Sequence, residues 1–248
     1  MMARNFPPPP SAEASTADLA RSSGPGRPKD LGKRAAILEA AKHMFTTHGF
    51  TGVSMDQIAA DAGVSKLTVY SHFGDKETLF VAAVKSHCEQ GLPSALFESR
   101  PEQGLREHLL EIARAFFAMI CSTDGIAGHR MLCSPQLAGT ALSDLFWDAG
   151  PERCHEGLAV VLAPHIARGE VRIDDVRRAS SQFFTLIKGE PHALLVLGCQ
   201  RANAWDIDSH LVASVDLFLR AYAFSSDAAA SGDTAPTADV AGSSLPSR

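Results

Sequence analysis

Residues 54–77, SMDQIAADAGVSKLTVYSHFGDKE, read as two short helices joined by a glycine turn and followed at once by a third. Ser54 is placed to accept the free amide donors that open the first helix. Gln57, three residues on, can reach back in a capping box, and Asp56 favours the positive helix end. Ile58, Ala59 and Ala62 form the inward face. Gly63 supplies the left-handed backbone that ends a helix without steric penalty, and Ser65 is positioned to cap the next one. This is a helix-turn-helix pattern, and it points to duplex DNA as a partner.

In the second helix, 66–73, Val69 and Phe73 stand four apart and face the first helix. At about 100° per residue, Leu67 and Ser71 then point away from the core, flanked by Thr68 and Tyr70. Lys66, Leu67 and Thr68 occupy the first turn, the part of a recognition helix that meets base edges. Lys66 can donate to guanine, Thr68 can bond several bases, and Leu67 can cover a thymine methyl. Tyr70 and His72 lie farther along and to the side, which suits phosphate oxygens. Asp75 is expected to cap the third helix, so Lys76 falls in a first turn where the macrodipole opposes a cation. A phosphate facing Lys76 would account for it. The plainer alternative is that Lys66, His72 and Lys76 are ordinary solvated groups. For the motif as a whole, the agreement of cap, turn and exposed face speaks against that. The candidate DNA-binding set is Ser54, Ser65, Lys66, Leu67, Thr68, Tyr70, Ser71, His72 and Lys76.

The stretch from GRPKD (26–30) through LEAAKHMFTTHGF (38–50) to SKLTVYSHFGDKETLF (65–80) resembles the DNA-binding domain of TetR-family transcriptional regulators. The resemblance implies a homodimeric, all-helical repressor whose C-terminal domain binds a small ligand and lets go of DNA. By position it implies base contacts at Lys66, Leu67 and Thr68 and phosphate contacts at Tyr70, His72 and Lys76. Many family members have an aromatic residue where Ser71 stands. The segment HRMLCSPQLAGTALSDLFWDAGP (129–151) and the helix ending HIARGEV (165–171) are similar to AefR-like C-terminal domains found in part of the family. That similarity implies an effector site among the middle helices, with Phe116, Phe117, Ile120, Met131, Phe146, Trp147, Leu162 and Phe183 as candidate lining. Arg130, Gln182 and His192 are candidate polar anchors, and the ligand class is a hydrophobic or amphipathic organic molecule. Ordinary core packing is the plainer alternative for each of these aromatics.

A chain of 248 residues with 45% hydrophobic content can bury a sizeable core in one domain or two small ones. The longest clear apolar run is ALLVLG at 193–198, far short of the roughly 18 residues a membrane span needs. Near the N-terminus a lone Arg4 precedes Pro7 to Pro10 with no apolar stretch, so no secretory leader is expected and the cytoplasm is the default. The five cysteines, at 88, 121, 133, 154 and 199, show no C-x-x-C and no zinc-ligand arrangement. Buried reduced thiols are the expectation, with a redox-sensing thiol as the alternative. Residues 1–85 hold 10 basic and 8 acidic side chains (+2), whereas 86–248 hold 13 and 20 (−7). An acidic chain can carry a DNA-binding head because phosphate binding depends on local cations. Arg21, Arg27, Lys29, Lys33 and Arg34 either extend that basic footprint or form a solubilising run.

The fold expected is all-α: an N-terminal three-helix DNA-binding domain at 29–85 and a C-terminal helical ligand-binding and dimerisation domain at 86–225, between disordered tails at 1–28 and 226–248. Ile37, Ala41, Met44 and Phe45 form an apolar stripe that Gly49 ends, and Pro93 is expected to stop the helix leaving the motif. Further helices are expected near 103–121, 125–138, 140–148, 151–168, 175–198 and 207–224, with Gly150-Pro151, Gly169 and Asp174-Asp175 marking boundaries. Pro191 should kink its helix. Phe183, Phe184, Leu186 and Ile187, with Leu211, Val215, Phe218 and Leu219, exceed a narrow stripe. They fit either deep burial or a four-helix bundle across a two-fold axis, and the family resemblance favours the bundle. Catalysis has no positive support: Glu152 to His155 is the only Glu-x-x-His, and no phosphate loop or nucleophile elbow is present. No catalytic, metal or cofactor site is expected.

Overall fold

The computed structural model describes residues 30–100 and 102–223. The tails expected at 1–28 and 226–248, and with them Arg21, Arg27 and Lys29, lie outside those residues. Ten α-helices follow in order: α1 (Leu31–His48), α2 (Met55–Asp61), α3 (Lys66–Phe73), α4 (Lys76–Gly91), α5 (Leu105–Ile120), α6 (Thr123–Leu132), α7 (Ala141–Ala149), α8 (Pro151–Ala167), α9 (Val176–Leu197) and α10 (Ile207–Tyr222). Single 3₁₀ turns occupy Ser94–Phe97 and Gln200–Ala204. Among the described residues the sole sheet-like pairing is one antiparallel bridge, Val171 with Ala223, which ties the end of α10 to the α8–α9 connection. The fold is all-α.

Local chemistry sets most boundaries. The capping box forms as expected: the Ser54 hydroxyl accepts from the Gln57 amide at 3.3 Å, and the Gln57 side chain accepts from the Ser54 amide at 2.8 Å. Gly63 turns at φ +64°, and Ser65, Asp75 and Asp175 cap α3, α4 and α9. Pro151 opens α8 at its first position. One boundary departs from expectation. Instead of reaching residue 138, α6 stops at Leu132, because Pro135 disfavours helical backbone at Ser134 and the chain closes into tight turns held by Leu137 N–H to Ser134 O.

The head, α1 to α4, is built on Ile37, Ala41, Ile58, Val69 and Leu79, all at most 0% exposed, and on three phenylalanine rings. Phe45, Phe50 and Phe80 sit 5.5–5.7 Å apart, two of the three pairs edge to face. Leu137 and Leu142, from outside the head in sequence, complete this core. The second core gathers Leu109, Ile112, Leu158, Leu162, Phe183, Ile187, Val215 and Phe218 from α5, α8, α9 and α10. The division at 85/86 falls inside α4, which runs from the head into the second core at Leu92.

Two expectations about α9 and α10 meet the coordinates here. Phe183, Phe184, Ile187, Leu211, Val215 and Phe218 are buried within the single chain, so their surplus over a narrow stripe is used up by packing on α5 and α8. Outside that packing, Leu197 of α9 and Leu217 of α10 stand exposed at 75% and 48%, and Leu186, Val212 and Leu219 are only partly buried. The kink is present and lies two residues before the proline: Gly189 adopts φ +49°, ψ −163°, a conformation open to glycine alone. Pro191 has no N–H to offer Ile187 O one turn back. His210 of α10 takes that place, its Nε2 lying 3.0 Å from Ile187 O.

Candidate functional site

Two surfaces remain to be explained, and the first is the outer face of α3. Val69 and Phe73 anchor it inward at 0% and 5% exposure, while Leu67 stands out at 79% and Tyr70 at 42%. A leucine left that bare at the start of a well-anchored helix is an apolar probe without a partner. Lys66 Nζ rests 2.9 Å from Asp56 on α2, which holds its ammonium above the ordinary lysine range, and lies 5.8 Å from the Tyr70 ring. Thr68 shares a 2.8 Å hydroxyl contact with Ser65 Oγ, and Ser71 Oγ donates to Thr68 O. The Ser54 hydroxyl serves the α2 capping box. His72 is half-buried with Nδ1 enclosed and unpartnered, so Nε2 is the atom available to an outside acceptor.

Lys76 needs a different account from the one its position suggested. Its Nζ donates to the carbonyls of Phe50 and Val53, 2.9 Å each, and lies 4.3 Å from the centre of the Phe50 ring. The macrodipole penalty is offset inside the fold, by carbonyl oxygens and a cation–π contact. The lysine ties the α1–α2 loop to the start of α4, and no phosphate is required to explain it. Lys33 and Arg34 are exposed on α1, Arg34 lying over Phe73 at 5.2 Å.

The second feature is a cavity of about 280 Å³ whose walls come from α1 and from α4 to α9. Of the residues expected there, Phe116, Ile120, Met131, Phe146, Trp147 and His192 line it. The others do not. Phe183 is fully buried, edge to face with both Phe184 and Phe218; its sequence neighbour Phe184 takes the cavity position. Phe117 and Leu162 belong to the second core. Arg130 is committed elsewhere, donating to Val196 O at 2.7 Å and Leu195 O at 2.8 Å, where it caps the end of α9. Gln182 accepts from the Tyr222 hydroxyl on the surface.

The polar cavity residues that sequence reasoning passed over are Ser181, Thr185 and Lys188 on α9, with Lys42 and Thr46 on α1 and His87, Asp124, His129 and His155. A signal for the α9 group was present: Ser181, Thr185, Lys188 and His192 recur at helical spacing beside the apolar face of Ala179, Phe183 and Ile187. Burial pushes His192 down to about 4, helped by His129 and Lys188, so its imidazole is neutral near pH 7. Burial also lowers His87, His129 and His155. The thiols of Cys88 and Cys154 line the same space, raised by burial to about 11 and about 12, and Cys121 is likewise raised to about 11. All five cysteines are free and Cys133 is exposed. Glu152 pairs with Arg177 at 2.9 Å, and no metal-binding cluster occurs among the described residues.

An exposed, capped recognition-type helix and a largely apolar cavity are joined by shared helices, and the comparisons match both parts. Residues 37–83 match the family of bacterial regulatory proteins named for tetR, and residues 107–224 match the C-terminal domain of AefR-like transcriptional repressors. The chain is similar throughout its fold to the flavonoid-responsive regulator FrrA, at 30% identity and TM-score 0.61, covering 78% of this chain and 98% of that one. The chain belongs to the TetR family of transcriptional regulators. Among curated relatives it is 33% identical over 88 residues to the transcriptional activator FasR of Mycolicibacterium smegmatis, spanning 36% of this chain and 40% of FasR. It is 27% identical over 146 residues to the transcriptional repressor AcnR of Corynebacterium glutamicum, spanning 59% of this chain and 72% of AcnR. A TetR regulator needs an exposed reading helix, and α3 has that exposure.

Proposed function

We propose that this TetR-family chain acts as a ligand-responsive repressor: two copies sit on a near-palindromic operator with α3 of each in the major groove, and a small amphipathic effector in the cavity releases them. In this assignment Lys66, Leu67 and Thr68 face base edges, while Tyr70, Ser71 and His72 lie toward the backbone. Ser54 and Ser65 fix the helix starts, and Lys76 braces the loop behind α3. The observation that carries the proposal is that the cavity takes part of its wall from α1 and α4, the helices that hold α3 in place. Phe45 and Phe80 line the cavity on one side and pack on Phe50 on the other, and Phe50 bears on Lys76 at the α3–α4 junction. A ligand that prefers one packing of these rings therefore biases the position of α3, and its differential affinity sets the size of the response. The second copy is assigned to the faces of α9 and α10 left free in the chain. The cytoplasm follows from the role; among the described residues no helix is long and apolar enough to cross a membrane. No catalytic step is assigned.

The test is binding to a duplex from the region upstream of its own gene, measured across salt concentration and then with candidate amphiphiles. Affinity should fall linearly in log–log form as salt rises, because phosphate contacts release counterions. A compound that fills the cavity should weaken operator binding. Affinity indifferent to both salt and sequence would refute the proposal.

A further inference from the structure

The cavity holds one ammonium that no carboxylate pairs. Lys188, half-buried on α9 just before the Gly189 kink, lines the cavity, and among the described residues no carboxylate or carbonyl bonds its ammonium. The other charged groups in the lining are engaged or remote from it. Lys42 on α1 is held by Glu39 and by Gln90, whose Oε1 is 2.8 Å away. Asp124, exposed in the first turn of α6, acts on His87 of α4 and makes no ion pair with Lys188, which neighbours the Cys154 thiol of α8. The imidazoles that feel Lys188 are His129 on α6, His155 on α8 and His192 on α9. Burial and the neighbouring ammonium hold all three below the ordinary histidine range, so they are neutral near pH 7; His129 and His192 can each offer one N–H, while His155 Nδ1 is engaged with Ser180 Oγ at 2.9 Å. His129 and His192 stand edge to face at 5.2 Å, and neither has a protein hydrogen-bond partner among the described residues. The remaining walls are largely apolar.

We propose that the effector is an organic anion, a carboxylate or similar oxyanion on an apolar body, whose charged head sits against Lys188. This deepens, and rests on, the assignment of the cavity as the effector site. An ammonium partly withdrawn from water without a partner is destabilised, and an anion entering the same low-dielectric space compensates that cost through a charge-assisted bond. A cationic ligand gains nothing there, and a neutral one leaves the ammonium unpaired. The imidazole N–H groups supply further donors, and the volume of about 280 Å³ suits a bicyclic or medium-chain body.

Calorimetric titration of the full chain with matched pairs decides the matter: 2-naphthoate against 2-naphthamide, and decanoate against decanamide. The acids are expected to bind about tenfold tighter or more than the amides. Lys188→Met should bring acid and amide within about twofold while leaving amide affinity unchanged, and Lys188→Arg should keep the preference. Amides binding the wild-type chain as tightly as acids, acid preference surviving in Lys188→Met, or no acid binding at millimolar concentration would each overturn the proposal. The wild-type comparison stands even if Lys188→Met does not fold. Operator binding, followed in parallel, separates the two assignments. Lys188-dependent acid binding that leaves operator affinity unchanged upholds the anion site and refutes its regulatory use; operator release by amides with no acid preference does the reverse.

Discussion

Replacing Gly189 by alanine strikes the kink that sets Lys188 and His192 against the cavity. Two costs can be read from the geometry. The backbone there, φ +49° and ψ −163°, excludes side chains, and holding alanine in it costs about 1–3 kcal/mol. An added Cβ would also lie 2.5 Å from His210 Cε1 and 2.8 Å from Nε2, so the imidazole must move. Moving it strips Ile187 O of the donor that replaces the missing Pro191 N–H, a further ~1–3 kcal/mol for an unsatisfied buried carbonyl. The expected destabilisation is about 2–6 kcal/mol, a large share of the total for a domain of this kind. Urea denaturation followed by circular dichroism measures it. Gly128→Ala serves as the control: that glycine sits in α6 with no atom within 4 Å of an added Cβ, and alanine there should stabilise by up to about 1 kcal/mol. Combining Gly189→Ala with His210→Ala should cost less than the two changes summed, because the collision is counted once. A Gly189→Ala chain within about 0.5 kcal/mol of wild type, or one as benign as Gly128→Ala, would refute the account of the kink.

Tyr70→Phe should weaken binding to all duplexes alike, whereas Thr68→Ala should relax preference at particular bases by about 1–3 kcal/mol; equal effects on every sequence, measured by competition binding, would refute the division of roles. Asp56→Asn removes the carboxylate that holds Lys66 and should tighten duplex binding, most at low salt, in fluorescence anisotropy. Stability should fall as pH drops from about 6.5 toward 4, because unfolded His192 takes up a proton below about 6.5 and the folded residue only below about 4. After screening by solvent reaching the open cavity, about 1–2 kcal/mol of that loss should vanish in His192→Gln, as read from denaturation curves across pH. Cys133 should react first and fastest with a thiol reagent in the folded chain, with Cys154 last, since Cys154 is buried and its thiol is raised to about 12.

Local rules made the head legible. Ser54 with Gln57, Gly63, Ser65 and Asp75 act over three or four residues, so their roles can be read without knowing what lies across the molecule. The same holds for Gly150-Pro151 at the start of α8 and for the expected kink near Pro191. The cavity resisted such reading because its lining is chosen by distant partners. Phe183 and Phe184 are adjacent and chemically identical, yet one is locked against Phe218 and the other faces the cavity.

What the chain's own chemistry determined is the succession of helices, their caps and turns, and the outward face of α3, since hydrogen bonds and side-chain periodicity within one turn settle these. What tertiary structure alone decided is where Arg130, Lys76 and Lys188 spend their charge. Arg130 finds carbonyls 65 and 66 residues away, Lys76 finds them 23 and 26 residues back, and Lys188 finds none among the described residues. The strength of a charge's interactions depends on what surrounds it in space, which folding brings together from distant parts of the chain.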